Sequence, residues 1–554
     1  MRIAAWLLIC GACGAALAEV PTLQPAVEQA AKTFITRSSL EAPIRFLASD
    51  ALEGRGPASR GDQLARLYLA SELQDAGYEP GGPDGSWQQP FGIVGIRTSM
   101  PAAWTFQGAH GRIDLKWRDD YIAASGVQSE HVAIDDAELV FVGYGIQAPE
   151  YRWDDFKGMN LKGKVLVMLN DDPDWDPQLF AGKRRLYYGR WTYKYESAAR
   201  QGAAAAIIIH TTPSAGYPYQ VVQSSWGGEQ FELPAEDEAR VRLKAWVTEN
   251  AARALFAAGG RDLDKLVKAA RSRSFRPVPL GLHTSVTFTT TLSHVQTANV
   301  AGLLRGSDPK LARQVVVFSA HHDHFGIGEP DATGDRIYHG AVDNAAGCSQ
   351  LLAIARGLAS LPERPRRSVL MLFVAGEERG LLGSSWFARH PSFPPGRIAA
   401  DINYDGGNIF GRTRDVTLIS AGKSSLDAVA QAAAQRQGRV VVPDQFPDRG
   451  YYYRSDQFSF AKIGVPALYF DTGTDFIGRP ADWGRRQIET WELKQYHQPG
   501  DRLDDTWNFD GMVEDAQLGL YAGWLIAQSD DMPAWNPGDE FEVARKSALA
   551  ALPQ

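Results

Sequence analysis

Apolar runs and one-faced apolar segments alternate through the second half of the chain. Val315–Ala320 is an apolar run of strand length, and Leu351, Ile354 and Leu358 then fall on one face of a helix over 345–359. The same alternation predicts a strand over 369–375, a helix over 381–389, a strand over 398–404, a helix over 425–437, a strand over 466–470 and a closing helix over 514–527. Strand–helix alternation of this kind implies an α/β fold whose mostly parallel mixed sheet carries helices on both faces.

The first half reads differently. Residues 19–75 are largely helical in pattern, with Leu64, Leu67, Leu69 and Leu73 on roughly one face after Arg60. Gly77, Pro80, Gly81, Gly82 and Pro83 mark a loop, and short strands follow over 91–125. Residues 135–285 read as a separate, smaller inserted α/β unit: a strand over 139–145, a turn and strand over 161–168, a helix over 193–202 and a strand over 203–209.

Composition narrows the classes. The 554 residues are 44% hydrophobic and 22% charged, the balance of a globular chain with room for more than one domain. A net charge of -8 gives no attraction for nucleic acid or an anionic membrane surface. Arg2, the apolar stretch 4–16 and Ala16-Leu17-Ala18 form the pattern of a signal peptide over 1–18, cleaved near Ala18. Such a leader implies a periplasmic or secreted protein with no stable membrane insertion after cleavage. Cleavage removes Cys10 and Cys13, so Cys348, read as a small buried residue, is left without a disulfide partner.

The candidate chemistry sits where strands end. His321 and Asp323 follow the first strand, Glu377 and Glu378 the second, and Asp405 the third. Asp343 lies on the loop before a helix and His497 on a loop after the last strand. In open α/β sheets, ligands bind beyond the carboxyl ends of the strands. Taken singly, Asp343 also suits a helix N-cap and Asp405 a turn. Taken together, imidazoles and carboxylates on one sheet edge suit zinc, and an uncoordinated carboxylate beside it suits a general base. Asp323 is placed to accept the second ring N–H of His321. His322, His324 and His339 read as pocket or packing residues.

His321-His322-Asp323, Gly340 to Gly347, Gly376 to Ser384, Asn403-Tyr404-Asp405 and Tyr496 to Asp501 resemble, in order, the motifs of the zinc aminopeptidase/glutamate carboxypeptidase family. The 135–285 unit resembles the protease-associated domain inserted in exported peptidases. The resemblance divides the chain into a signal peptide (1–18), an N-terminal part of the peptidase domain (19–134), the inserted domain (135–285) and the catalytic domain (286–554). It implies two zinc ions: His321 and Asp405 on one, Glu378 and His497 on the other, and Asp343 bridging across a cis peptide to Asn344. It implies Glu377 as the general base, Asp323 behind the metal, and a tyrosine near Ser455-Asp456, here Tyr452, for the oxyanion. Peptides are the expected substrates, cut at the N-terminus. Alternatives are a carboxypeptidase, with Arg454 as a candidate anchor, a one-zinc glutaminyl cyclase-like enzyme, and a receptor-like protein on a degenerate site. Oligomeric state is left open.

Overall fold

The computed structural model describes residues 21–552; the expected signal peptide lies outside them. A mixed sheet runs through the second half of the chain. The strands Ser368–Val374, Val315–His321, Ile398–Asn403 and Ala467–Asp471 lie side by side and parallel, in that order. The strand Asp415–Leu418 joins antiparallel to the last of them and carries Val440–Pro443 at the edge. Alternation sorts each central strand between two cores. Val316, Phe318, Val369, Met371 and Phe373 face one core, built with the helices Gly347–Ala359 and Asp510–Gln528. Val315, Val317, Leu370, Leu372 and Val374 face the other, with Phe387 and Phe460. The helices expected from one-faced patterns are present within a few residues of their expected bounds.

The N-terminal segment braces this sheet. Helices Pro25–Phe34, Arg37–Leu47 and Arg60–Asp75 bury Val27, Leu40, Ile44, Leu69 and Leu73 in the first core. Between the last two, Glu53, Gly54 and Arg55 all take positive φ. That turn drives Arg55 inward, where its side chain is fully buried. The guanidinium donates to the carbonyls of His322 (2.8 Å), His339 (2.8 Å), Gly340 (2.8 Å) and Leu47 (2.5 Å). One cation thereby ties together the two loops that carry His321 and Asp343. At Gly54 a Cβ would meet the Tyr338 carbonyl at 2.4 Å, so the turn closes only on glycine.

The inserted unit has its own two-faced sheet. Val165, Val167, Ile207 and Ile209 face one cluster, and Leu166, Met168, Ile208 and Trp246 the other. Its first strands fall earlier than the expected boundary at 135. Trp104, Phe106, Leu115, Tyr121 and Ala123, assigned above to the N-terminal part of the peptidase domain, bury their side chains in this unit's core. Its far boundary at 285 also gives way, because Val278–Leu304 is one strand of 27 residues. Its start pairs with His131–Phe141, its middle with Gln88–Ser99, and its end with Ser368–Val374. Burial alternates from Leu280 to Thr290, then becomes continuous from Thr297. The strand thus passes from a one-sided to a two-sided setting without a break. No described helix is long and apolar enough to cross a membrane.

Replacing Arg55 by Met should lower stability by roughly 3–5 kcal/mol, since four buried carbonyls lose their donor. Arg37→Met, at an ion pair whose arginine is 65% exposed, should change it by under about 1 kcal/mol. Urea unfolding of both variants at one protein concentration measures the difference; equal midpoints contradict the bracing role of Arg55.

Candidate metal centre

Each strand end delivers a donor to one edge. His321 closes its strand. Gly376, at φ 73°, turns the chain after Ser368–Val374 and presents Glu377 and Glu378. Asp405 follows Ile398–Asn403 by two residues. Asp343 is held by Asp501, whose carboxylate accepts from the backbone N–H of Val342 (2.9 Å) and Asp343 (3.1 Å). The Asp343–Asn344 peptide is cis. The Asn344 amide donates to the Tyr404 carbonyl at 2.9 Å and accepts from the N–H of Gly406 at 3.0 Å, which locks the Asp343 and Asp405 loops together. His497, at φ 55°, comes from the loop after the helix Trp483–Lys494.

The donors form two sets that share one carboxylate. His321 Nε2 lies 3.1 Å from Asp343 Oδ1 and 3.2 Å from Asp405 Oδ1. His497 Nε2 lies 3.3 Å from Asp343 Oδ2 and 3.1 Å from Glu378 Oε2. Ligand atoms 2.0–2.1 Å from a tetrahedral zinc are about 3.3 Å apart, so each set has the spacing of a zinc shell. Residues His321, Asp343 and Asp405, and separately Asp343 and Glu378 with His324, group tightly enough to hold an ion. The residues present therefore fit a pair of zinc ions, with Asp343 facing both.

The surroundings tune these groups. The His321 Nδ1 sits 3.2 Å from the Asp323 carbonyl and 3.8 Å from its carboxylate, leaving Nε2 toward the donors. The backbone oxygen, rather than the expected side chain, is the closer tautomer-fixing acceptor. The Asp323 carboxylate instead accepts from the Glu377 N–H at 3.1 Å. Burial works against ionised Asp343, but hydrogen bonds from His321 and His497 hold it well below the usual carboxylate range. Burial and Asp343 oppose ionised Glu378, yet the imidazoles of His497 and His324 favour it more strongly, and it falls to about 2. Glu377, buried among other acids, is pushed well above the ordinary range. His497 is raised to about 9: burial opposes its charge, while Glu378 and Asp343 favour it more strongly.

Two cavities open on the centre. One, of about 290 Å³, lies between the inserted unit and the catalytic sheet and reaches Glu377, Glu378 and His497. Its other wall carries Arg190, Trp191, Tyr217 and Ser225 of the inserted unit. The second, of about 140 Å³, touches Asp343, Glu377 and Asp405 beneath Tyr451, Tyr469 and Tyr496. Tyr452 is in neither. The single-turn helix Tyr451–Tyr453 fans its three rings apart, which puts Tyr452 in a cluster with Trp535 and Phe541. Its hydroxyl has no partner there, and Lys423 Nζ sits 4.8 Å from the ring centre. The expected oxyanion role for Tyr452 is therefore corrected. Tyr496 borders both cavities and stacks on His497 at 3.7 Å. Sequence reasoning quoted Tyr496 only as part of a motif. It missed Ser225, whose hydroxyl lies 3.2 Å from His497 Nδ1, and Arg190, because both come from the inserted unit. Cys348 is buried, donates to the His321 carbonyl at 3.1 Å, and has its thiol pushed up to about 12 by burial.

Without metal, His497 and His321 hold protons at pH 7, the latter because Asp405 and Asp343 overcome its burial. A zinc ligand must be neutral. Zinc uptake at pH 7 should therefore release protons, and affinity should rise with pH up to about 9. Titration calorimetry in buffers of differing ionisation enthalpy reads the protons directly; no release at pH 7 contradicts the assignment of these imidazoles as ligands.

Residues 299–519 match the model of peptidase family M28. A vacuolar membrane protease of Verticillium alfalfae is 32% identical over 133 residues, 24% of this chain and 11% of that protein. A probable zinc metalloprotease of Leptosphaeria maculans is 36% identical over 94 residues, 17% of this chain and 20% of that one. The chain thus spans a fifth or less of the length of these relatives. The aminopeptidase of Aneurinibacillus sp. strain AM-1 superposes with a TM-score of 0.55 at 19% identity, covering 91% of this chain and 97% of that one, which is a likeness of fold. The matched segment 299–519 supplies every donor of the two sets, so the likeness to peptidase family M28 covers the whole candidate centre.

Proposed function

We propose that this protein is an exported two-zinc exopeptidase. The observation that carries the reading is Asp343, whose two oxygens face separate donor sets, with Glu377 beside both. Bound in those sets, zinc would supply a Lewis acid for the scissile carbonyl and for the attacking water. The chain's own residues supply the remainder. Glu377, anchored through its N–H on Asp323 and open to both cavities, accepts the proton of the attacking water and returns it to the leaving amine. Tyr496 offers a hydroxyl for the developing oxyanion. The inserted unit walls one side of the cleft with Arg190, Trp191, Tyr217 and Ser225. Export rests on the leader pattern of residues 1–18.

Removal of N-terminal residues is the preferred direction, by likeness of fold to the Aneurinibacillus aminopeptidase. One observation favours a second reading, cleavage beside a substrate carboxylate. Arg190 and Arg454 both line the larger cavity, and neither has an ion-pair partner among the described residues. The Nε of Arg190 is buried without a hydrogen-bond partner, and burial together with Arg454 lowers its pKa to about 10. Arg454 is ringed by Tyr217, Tyr451 and Tyr496 at 5.2–5.6 Å.

Glu377→Gln should cut turnover by roughly two to four decades while both zincs stay bound, and Glu378→Gln should release one zinc. Rate and metal content of the two variants decide it; wild-type turnover in Glu377→Gln removes the proposed base. Acetylating the N-terminus of a dipeptide should abolish its hydrolysis and amidating the C-terminus should not. The reverse pattern, with KM raised in Arg190→Ala and Arg454→Ala, selects the carboxylate reading.

A further inference from the structure

Three histidines near the centre lie outside the donor sets described above, and they differ in how their nitrogens are satisfied. His339 has both partnered, by the Ala48 carbonyl and by Asp335, each at 3.2 Å. His322 has one partnered, at 2.9 Å from Asp62. His324 is fully buried and has neither. An imidazole with two unpaired nitrogens in a buried site is costly, and a side chain chosen for packing alone would carry none.

Its position is specific. The Nδ1 of His324 is 2.5 Å from Glu378 Oε1, a close ion-pair contact that meets no hydrogen-bond geometry, and both atoms are buried. His324, Asp343 and Glu378 each bring a donor atom within 4.8 Å of the others. The His324 and His497 rings are 5.8 Å apart at 75°. Two imidazoles on one zinc, each bonded at 2.0–2.1 Å, hold their ring centres about 5–6 Å apart. The ring is fixed from below by Gly340, where a Cβ would come within 2.5 Å of its Cγ, and from the side by Phe325 at 5.0 Å.

We infer that His324 is a fourth protein donor to the zinc set of Asp343, Glu378 and His497. The inference rests on the two-zinc reading and makes the two sites unlike. The Glu378 site becomes closed, with four protein donors, while the site of His321, Asp343 and Asp405 has three and keeps an open position. Four-donor zinc sites are structural in character and three-donor sites admit water or substrate. The open position for substrate therefore belongs to the His321 site.

Zinc-edge X-ray absorption of the full-length protein, with its zinc content, tests this without any assay. Wild type should show three imidazoles shared by two zincs, and His324→Ala one fewer. Stepwise zinc titration should show one site weakened beyond the roughly ten- to hundredfold that loss of a supporting residue costs, with free imidazole restoring it in the variant. Two imidazoles over two zincs in wild type overturn the inference, and need no variant that folds. An affinity loss with an unchanged imidazole count also overturns it, and assigns His324 to orienting Glu378 instead. A wild type holding a single zinc overturns the two-zinc reading; the inference then stands if the variant's ion loses an imidazole and falls if it does not. Should His324→Ala fail to fold, His324→Gln is read in the same way.

Discussion

Carboxylates crowded at the end of a buried sheet cannot all stay ionised without cations between them. Asp343, Glu377, Glu378 and Asp405 converge within one cleft, where Asp405 and Glu378 raise the cost of charging Glu377 and Asp343 that of charging Glu378. In the metal-free protein the imidazoles take up protons to compensate, as the raised pKa values of His321 and His497 record. That compensation is partial, since Glu377 is still forced toward its neutral form. Three buried side chains hold the site together against this repulsion. Arg55 ties two ligand loops through their carbonyls, Asp501 grips the Asp343 backbone, and Asn344 clamps the Asp405 loop. None of these supports sits on the central strands, so the sheet sets where the acids emerge and the loops set where they point.

Much of this was legible in the sequence where local pattern and burial agree. Val315–His321 and Ser368–Val374 are apolar throughout because both faces are covered, and such runs are hard to misread. The donor residues stood out because charged groups at successive strand ends have few other uses. What could not be read was long-range or conformational. The boundary expected at 285 falls inside Val278–Leu304, whose polar positions alternate through the first half and give way to a mostly apolar run after Asn299, yet it is one strand. Trp104 and Phe106 look like any short-strand residues; only pairing shows whose core they fill. Tyr452 was placed by counting, and a helical turn of three tyrosines defeats counting, since neighbours differ by a third of a rotation. Ser225 and Arg190 lie far along the chain from the motifs, and nothing local marks them as wall residues of the cleft.

The inserted unit also touches one of the donors. Ser225 touches the ring of His497, Arg379 donates to the Ser225 carbonyl at 2.9 Å, and the Arg185 N–H donates to the Pro447 carbonyl at 2.8 Å. The inserted unit and the segment that carries the donors are thus joined at several points.

The continuous strand Val278–Leu304 gives this joint a mechanical meaning. A roof carried on a loop would swing; a roof carried on a laddered strand of 27 residues is a cantilever, stiff along its whole span. The gap beneath it then keeps its width by the ladder rather than by a hinge, so Tyr217 and Ser225 on one wall stay at a set distance from Glu377 and His497 on the other.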